Sequence, residues 1–537
     1  MNSSETDPGA DDSGKIASAA GKISVAIAIS RVLGLVREVV LAKYFGAGLA
    51  SDAFYVAYRI PNLLRDLFAE GSLSAAFLPA FTRRLTGGGK GSAWLLANRL
   101  INTLLILLGA ATLIFFFGAK FFVYLQAANF AAFPGKVELT AQMIRLLSPF
   151  LLCVSLAAVF MGMLNACGSF FLPALASSVF NICCILAGIF LSPFMPRWGM
   201  EPVVSMAIGA LIGGFGQFVV MLPSARAQGY RYQWTLDFSD PDLRRIGKLM
   251  LPAILGLSAT QINIIVDNQI AAMYGNGPVS WLSYAFRLTQ LPIGVFGIAL
   301  ATVAAADAAR HAALKDHTAL GRALATTLRL SACLAFPATV GLVIFRNEIV
   351  QLLFQRDKFL ASDTMETAQV LLYYAFALFA YSAVKIMVPA FYALNDSKTP
   401  VKLSMLTVAV KIALNLLLMK PLGFLGLAAS TTVASWLNYA LLRRHLSRIK
   451  GIAFDSDDGS TYLRIAAASV IMGVFARLVF AGSGYIITMS GTVMLGLRLG
   501  LAIAVAIAVL MPLLHLFQVR EAGELRLIAN RMIRKFR

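Results

Sequence analysis

Arginines recur in this chain where hydropathy leaves no room for them. Arg31, Arg37 and Glu38 fall inside the first long apolar run, in SRVLGLVRE. Arg59, Arg65, Asp66 and Glu70 interrupt the second, in YRIPNLLRDLFAEG. A charge at the centre of a bilayer costs about 3 kcal/mol or more, so such residues face a cavity or a partner. At ~1.5 Å per residue, Arg37 lies ~22 Å along its helix and Arg65 ~20 Å from the far end of the next, too deep to snorkel. Arg31 and Glu38 are seven apart and share a helix face, as do Asp52, Arg59 and Asp66. Pro61 removes the hydrogen bond to the carbonyl of residue 57 and loosens the helix among these charges. One reading pairs the arginines with Glu38, Asp66 and Glu70 as internal struts. The other notes that arginines outnumber acids at depth. A net-positive cavity needs an anion, and guanidinium forks grip phosphate oxygens bidentately, so its guest is a phosphate or diphosphate.

A second constellation is sparser. Asp267, in QINIIVDNQ, lies about twenty residues into the seventh apolar run, and Lys411 and Asn415 are one turn apart in the eleventh. They form either a buried Asp–Lys strut or, with a hydroxyl such as Thr431, a cation or proton coupling site. Other chemistry is missing. TGGGKGSA at 86–93 departs from the spacing of a phosphate-binding loop and reads as a flexible linker, which leaves no ATPase engine. The five cysteines and four histidines show no metal-ligand or disulfide spacing, and no hydrolase or metalloprotease motif occurs. We therefore expect neither an enzyme nor a resident cofactor or metal.

These residues must be positioned by membrane helices. The chain has 537 residues, 59% hydrophobic and 13% charged, against about 25% charged in soluble domains. Its apolar runs are about 20 residues long and do not alternate like barrel strands. Fourteen spans can be drawn, from 22–44 and 52–81 at the start to 462–482 and 490–516 at the end. An even number puts both termini on one side. Lys and Arg crowd the loops on the N-terminal side, from Arg83 and Arg84 to Arg443 and Arg444, while the opposite loops hold about seven. That bias makes both termini cytoplasmic, and it explains most of the net charge of +20 without nucleic acid. Residues 1–20 read as a disordered cytoplasmic tail, and 519–537 as a basic amphipathic helix on the cytoplasmic face.

The chain also repeats itself. FGAGLASDAFYVAYR at 45–59 and YGNGPVSWLSYAFR at 274–287 share aromatic-Gly-x-Gly, then Ser, Tyr and Ala-aromatic-Arg. The first joins spans one and two and the second spans seven and eight, an offset of six, so the two halves run parallel as in several transporters. Arg287 is thus the counterpart of Arg59. The expected organisation is an all-α polytopic membrane protein with an N-lobe at 21–228, a C-lobe at 229–446 and two further helices at 447–518.

The block from SRVLGLVREVV through SLSAAFLPAF resembles the MurJ (MviN) lipid II flippases of the MOP exporter superfamily, as do LPAILGLSATQIN, IGVFGIALATV, FYALNDSKTPVK and LLFQRDKF. The resemblance implies export of an undecaprenyl-diphosphate-linked peptidoglycan precursor from the cytoplasmic to the periplasmic leaflet of the bacterial inner membrane by alternating access. It places the essential cavity arginines at Arg31, Arg37, Arg65 and Arg287 and adds Asp52, Glu70 and Ser280. It also gives the last two spans a groove for the polyprenyl tail. The implied partners are lipid II, membrane lipids and the cell-wall synthesis machinery, around a monomer. Lys411 stands where some relatives have part of a sodium site that Asp267 and Asn415 would match. A fixed ammonium would displace Na⁺, which leaves Na⁺, H⁺ and membrane potential open as drivers. Gln290 and the stretch 301–311 depart from the usual pattern. The rival reading is a flippase for another polyprenyl-diphosphate-linked oligosaccharide; a drug exporter would want an acidic cavity.

Overall fold

A chain whose apolar runs must satisfy their own backbone groups folds as helix, and helix is the regular structure of every described segment. The computed structural model describes residues 8–65, 72–454, 458–486 and 491–523. Packing divides it into Met1–Ser280 and Trp281–Arg537. The first unit holds α1 (Pro8–Phe45), α2 (Leu49–Arg65), α3 (Ser72–Phe117), α4 (Ala119–Ala127), α5 (Lys136–Leu147), α6 (Phe150–Ala166), α7 (Phe171–Leu186), α8 (Val204–Ala227) and α9 (Pro241–Met273). The second begins within α10 (Pro278–Pro292) and continues with α11 (Ile298–Ala313), α12 (His317–Ile344), α13 (Arg346–Phe354), α14 (Ala361–Ala375) and α15 (Leu378–Ala393). It ends with α16 (Lys398–Leu422), α17 (Leu425–Leu446), α18 (Asp458–Ile486) and α19 (Thr492–Leu516).

In the first unit α7 packs between α1 and α8, α3 packs on α6 and α9, and α2 on α5. Small residues permit the α7–α8 approach. A Cβ on Gly213 would lie 2.8 Å from the Cα of Phe180, and one on Gly209 2.6 Å from the Cβ of Ala187. Without a hydrophobic drive between helices in lipid, such close backbone contact supplies the attraction. The second unit centres on α11, α12 and α15, where Leu320, Leu328, Met387 and Phe391 are wholly buried, while α16 pairs with α17 and α18 with α19.

Both copies of the repeated turn follow a long helix. Gly46, after α1, has φ 71°; Gly275 and Gly277, after α9, have φ 101° and 115°. This left-handed backbone suits glycine, and each turn feeds the helix that carries the repeated arginine.

Two expectations need correction, on residues 8–20 and on the placement of α9, and two others are met in part. Residues 8–20 are helical, not a disordered tail, because α1 starts at Pro8, whose fixed φ suits the first helical position, ahead of an alanine-rich stretch. The stretch 86–93 joins two helices of α3 that meet at a kink at Gly89 (φ 75°, ψ 177°), and the residues on either side of that kink are helical. Helix α9 falls with the first unit, since it packs on α3 and α4, so the division comes after 280 and not after 228. Of the expected helix at 519–537, residues 521–523 are helical, 519 and 520 are not, and 524–537 lie outside the described residues. Eight described helices are long and apolar enough to cross a bilayer, and α14 with α15, bent by 43°, makes a ninth. Charge and shortness depress the number: α2 has 17 residues and carries Asp52, Arg59 and Arg65.

Candidate functional site

The deep charges of α1 are gathered into a seam with α2 and α7. Arg37 donates to Oε1 of Glu38 at 2.6 Å and to Oδ1 of Asn181 at 3.2 Å. Tyr55 of α2 donates to the other Glu38 oxygen at 2.6 Å. Asn181 is fixed in turn, its amide donating to the carbonyls of Ser30 and Ser177. The guanidinium also lies 5.3 Å from the Phe180 ring, which stacks on Tyr58. Adjacent helix residues point about 100° apart, so both long side chains must swing into the seam to meet. Their side chains are 9% and 4% exposed, and removing one member of such a buried pair costs about 3–5 kcal/mol.

This pairing differs from the seven-residue spacing that set Glu38 opposite Arg31. Glu38 is occupied by Arg37 and Tyr55. Arg31 is half-buried on the same helix, and no carboxylate among the described residues pairs with it. Arg65 is the last residue of α2, which runs on past Pro61. The Arg65 side chain and Glu70 lie outside the described residues.

Asp52, with its side chain wholly buried, is the centre of a second knot. One carboxylate oxygen accepts the backbone N–H of Ser280 at 2.9 Å and its hydroxyl at 2.6 Å. The other accepts the N–H of Gly277 at 2.8 Å and Nζ of Lys136 at 2.9 Å. Lys136, equally buried, also donates to Asn276 at 2.8 Å and lies 3.9 Å from the centre of the Phe130 ring. Asp52 therefore caps the start of α10 from another helix, taking donors that the first turn leaves unsatisfied. Lys136, Asn276, Tyr55 and Asn181 were missed in the sequence. Lys136 reads as an ordinary loop cation, and only its position opening an apolar helix hints at burial.

In the second unit, Arg287 is half-buried on α10, seven residues after Ser280, and Trp281 donates to Asp363 at 3.0 Å. Lys411 and Asn415 are buried on α16. Asn415 accepts a short hydrogen bond from Ser430, and Thr431 donates to the Leu427 carbonyl of its own helix at 2.7 Å. The hydroxyl that meets Asn415 is thus that of Ser430. Asp267 is half-buried on α9 of the first unit. Among the described residues, no three His, Cys, Asp or Glu side chains cluster in a way that could hold a metal.

Apolar helices in this number, a twice-used glycine turn feeding an arginine-bearing helix, and charges buried in interhelical seams define a polytopic membrane transporter. Solved structures agree. The "Lipid II flippase MurJ, inward closed conformation" superposes with TM-score 0.75 at 25% identity, over 92% of this chain and 98% of that one. An inward-facing multidrug resistance MATE family transporter of the MOP superfamily gives TM-score 0.66 at 16% identity, over 78% and 95%, and so shares the fold alone. The family model "Lipid II flippase MurJ" matches residues 41–497, and the chain belongs to that family. A probable lipid II flippase MurJ of Vibrio cholerae is 34% identical over 79% of this chain and 81% of its own length. The lipid II flippase MurJ of Burkholderia cenocepacia is 32% identical over 77% and 80%.

Proposed function

We propose that this chain is a multi-pass protein of the bacterial inner membrane that flips lipid II from the cytoplasmic to the periplasmic leaflet by alternating access. The observation that carries the reading is the match to the flippase family across 41–497, a range that includes Asp52, Arg65, Ser280 and Arg287. The full assignment has fourteen spans with both termini cytoplasmic and a last pair that keeps the polyprenyl tail in lipid.

Arg31, Arg37, Arg65 and Arg287 hold the diphosphate, whose oxygens accept from guanidinium forks. Arg31, with no carboxylate partner among the described residues, is the ready donor. Arg37 is kept charged and oriented by Glu38 and Asn181 and gives up part of that pairing when the anion arrives. In this orientation the Asp52 knot lies at the periplasmic end. While Asp52 caps α10, that helix start stays against α2 and α5, so outward release requires the knot to open. Glu70 belongs to the same proposed site. No cofactor is needed, the protein works as a monomer, and the cell-wall synthesis machinery is its source or sink of cargo.

The test is accessibility of lipid II to a membrane-impermeant probe outside cells in which this protein is the sole flippase. Wild type exposes lipid II. Arg31→Ala should abolish exposure and growth with the protein still in the membrane, whereas Arg31→Lys, which keeps charge but not the fork, should retain a fraction. Undiminished exposure with Arg31→Ala would remove Arg31 from the site.

A further inference from the structure

The connection between α8 and α9 is a strap tied along α3. Asn98 donates to the Arg231 carbonyl, and Asn102 to those of Gln233 and Thr235. Tyr230 and Tyr232 donate back to the same two asparagines, each at 2.8 Å. The acids at the end of the strap are already neutralised. Asp240 takes Arg84 at 2.6 Å together with a short contact from Arg99, Asp237 takes Arg99, and Asp242 takes Arg84. Beside the exposed Arg231 and Gln233, the strap turns large apolar side chains outward: Trp234 is 62% and Phe238 58% exposed.

Beneath Phe238, between α3 and α9, runs a groove of about 330 Å³ lined by Leu100, Leu104, Leu243, Ile246 and Met250. That size falls at the lower end of ligand pockets. Its mouth is basic. Arg244 lines it, and Lys248 lies exposed one turn further along the same helix face. Arg244 gives one hydrogen bond to the Phe238 carbonyl, and no carboxylate among the described residues pairs with it or with Lys248. Aromatic side chains at this height are those of a membrane interface.

We infer that this groove is a site for an anionic phospholipid, with one acyl chain along α3 and α9 and the phosphate head on Arg244 and Lys248. A zwitterionic lipid would fill the groove but leave two uncompensated cations. In the orientation proposed above, this edge faces the cytoplasmic leaflet. The site is separate from the seams on α1 and α2 and independent of the cargo assignment.

The test titrates the purified full-length protein in detergent with phosphatidylglycerol or phosphatidylcholine and reads Tm. Phosphatidylglycerol should raise Tm at concentrations where phosphatidylcholine does not. The R244A/K248A variant should need on the order of twenty-fold more, at about fivefold (about 1 kcal/mol) per cation. Gly247 also lines the groove, and a Cβ there meets nothing within 4 Å. Gly247→Leu should therefore keep the lipid-free Tm and lose the shift by filling the groove. Equal shifts from the two lipids, or a wild-type response from both variants, would overturn the inference. So would undecaprenyl phosphate displacing phosphatidylglycerol at equal concentration, since the groove would then serve cargo.

Discussion

A carboxylate and an ammonium taken wholly out of water are stable only when every lone pair and proton is met. Asp52 and Lys136 show how completely that can be done, with four hydrogen bonds to one carboxylate. Removing one charge should therefore hurt more than removing both, because it strands its partner. Asp52→Asn and Lys136→Met should each lower thermal stability and transport. The Asp52→Asn/Lys136→Met double variant should recover stability relative to Lys136→Met alone, a coupling of about 1–3 kcal/mol measurable by a double-mutant cycle. Additive losses would show that the pair acts as two separate residues. Much of this residue scale was legible: a charge inside an apolar run announces itself. Partners were not, because Glu38 chose Arg37 and Tyr55 over the Arg31 that helical spacing offered, and Lys136 gains meaning only when α5 and the turn at Asn276 close around it.

Elements are held by two means in this chain, bare glycine contact within the apolar layer and ionic ties outside it. Gly213 has no room, with Phe180 backbone atoms within 2.9 Å of any added Cβ. Gly213→Leu should separate α7 from α8, disturb the Arg37–Asn181 contact that α7 provides, and lower Tm by several degrees, while Gly109→Leu, at an open position, should not. The ionic tie predicts a pH effect. Burial alone would raise the Asp240 carboxyl, but hydrogen bonds from Arg84, Arg99 and the N–H groups of Leu243 and Asp242 outweigh it and hold the group below the usual carboxylate range. A depressed folded value stabilises above the unfolded value, about 3.9, and that stability is lost as pH falls through the folded one. Asp240→Asn should therefore lower Tm at neutral pH, and the gap to wild type should shrink below about pH 4. A gap that stays constant would mean the strap is not held by charge. Helix identity along the chain followed from hydropathy. The assignment of α9 to the first unit did not, because packing on α3 and α4 leaves no periodic trace in either sequence.

At the scale of the whole molecule the question is what drives the cycle, and the buried charges narrow it. Lys411 is 6% exposed and Asn415 0%, with the Ser430 hydroxyl on the amide. Lys411 lies one turn before Asn415 on α16, and we propose that its ammonium supplies the charge a sodium ion would bring, so that the cycle runs without sodium. It does carry anionic cargo outward past fixed arginines, and an inside-negative potential favours that direction by about 2.3 kcal/mol per charge per 100 mV, roughly fiftyfold in the outward-to-inward ratio. In vesicles with purified protein and a fluorescent polyprenyl-diphosphate substrate, replacing Na⁺ by K⁺ without changing the potential should leave the initial rate unaltered. Collapsing the potential at constant Na⁺ and pH should lower the outward ratio severalfold or more. A rate that follows sodium and ignores potential would reverse the reading, and Lys411→Ala would then be expected to strengthen the sodium dependence, since it opens the position that the ammonium fills.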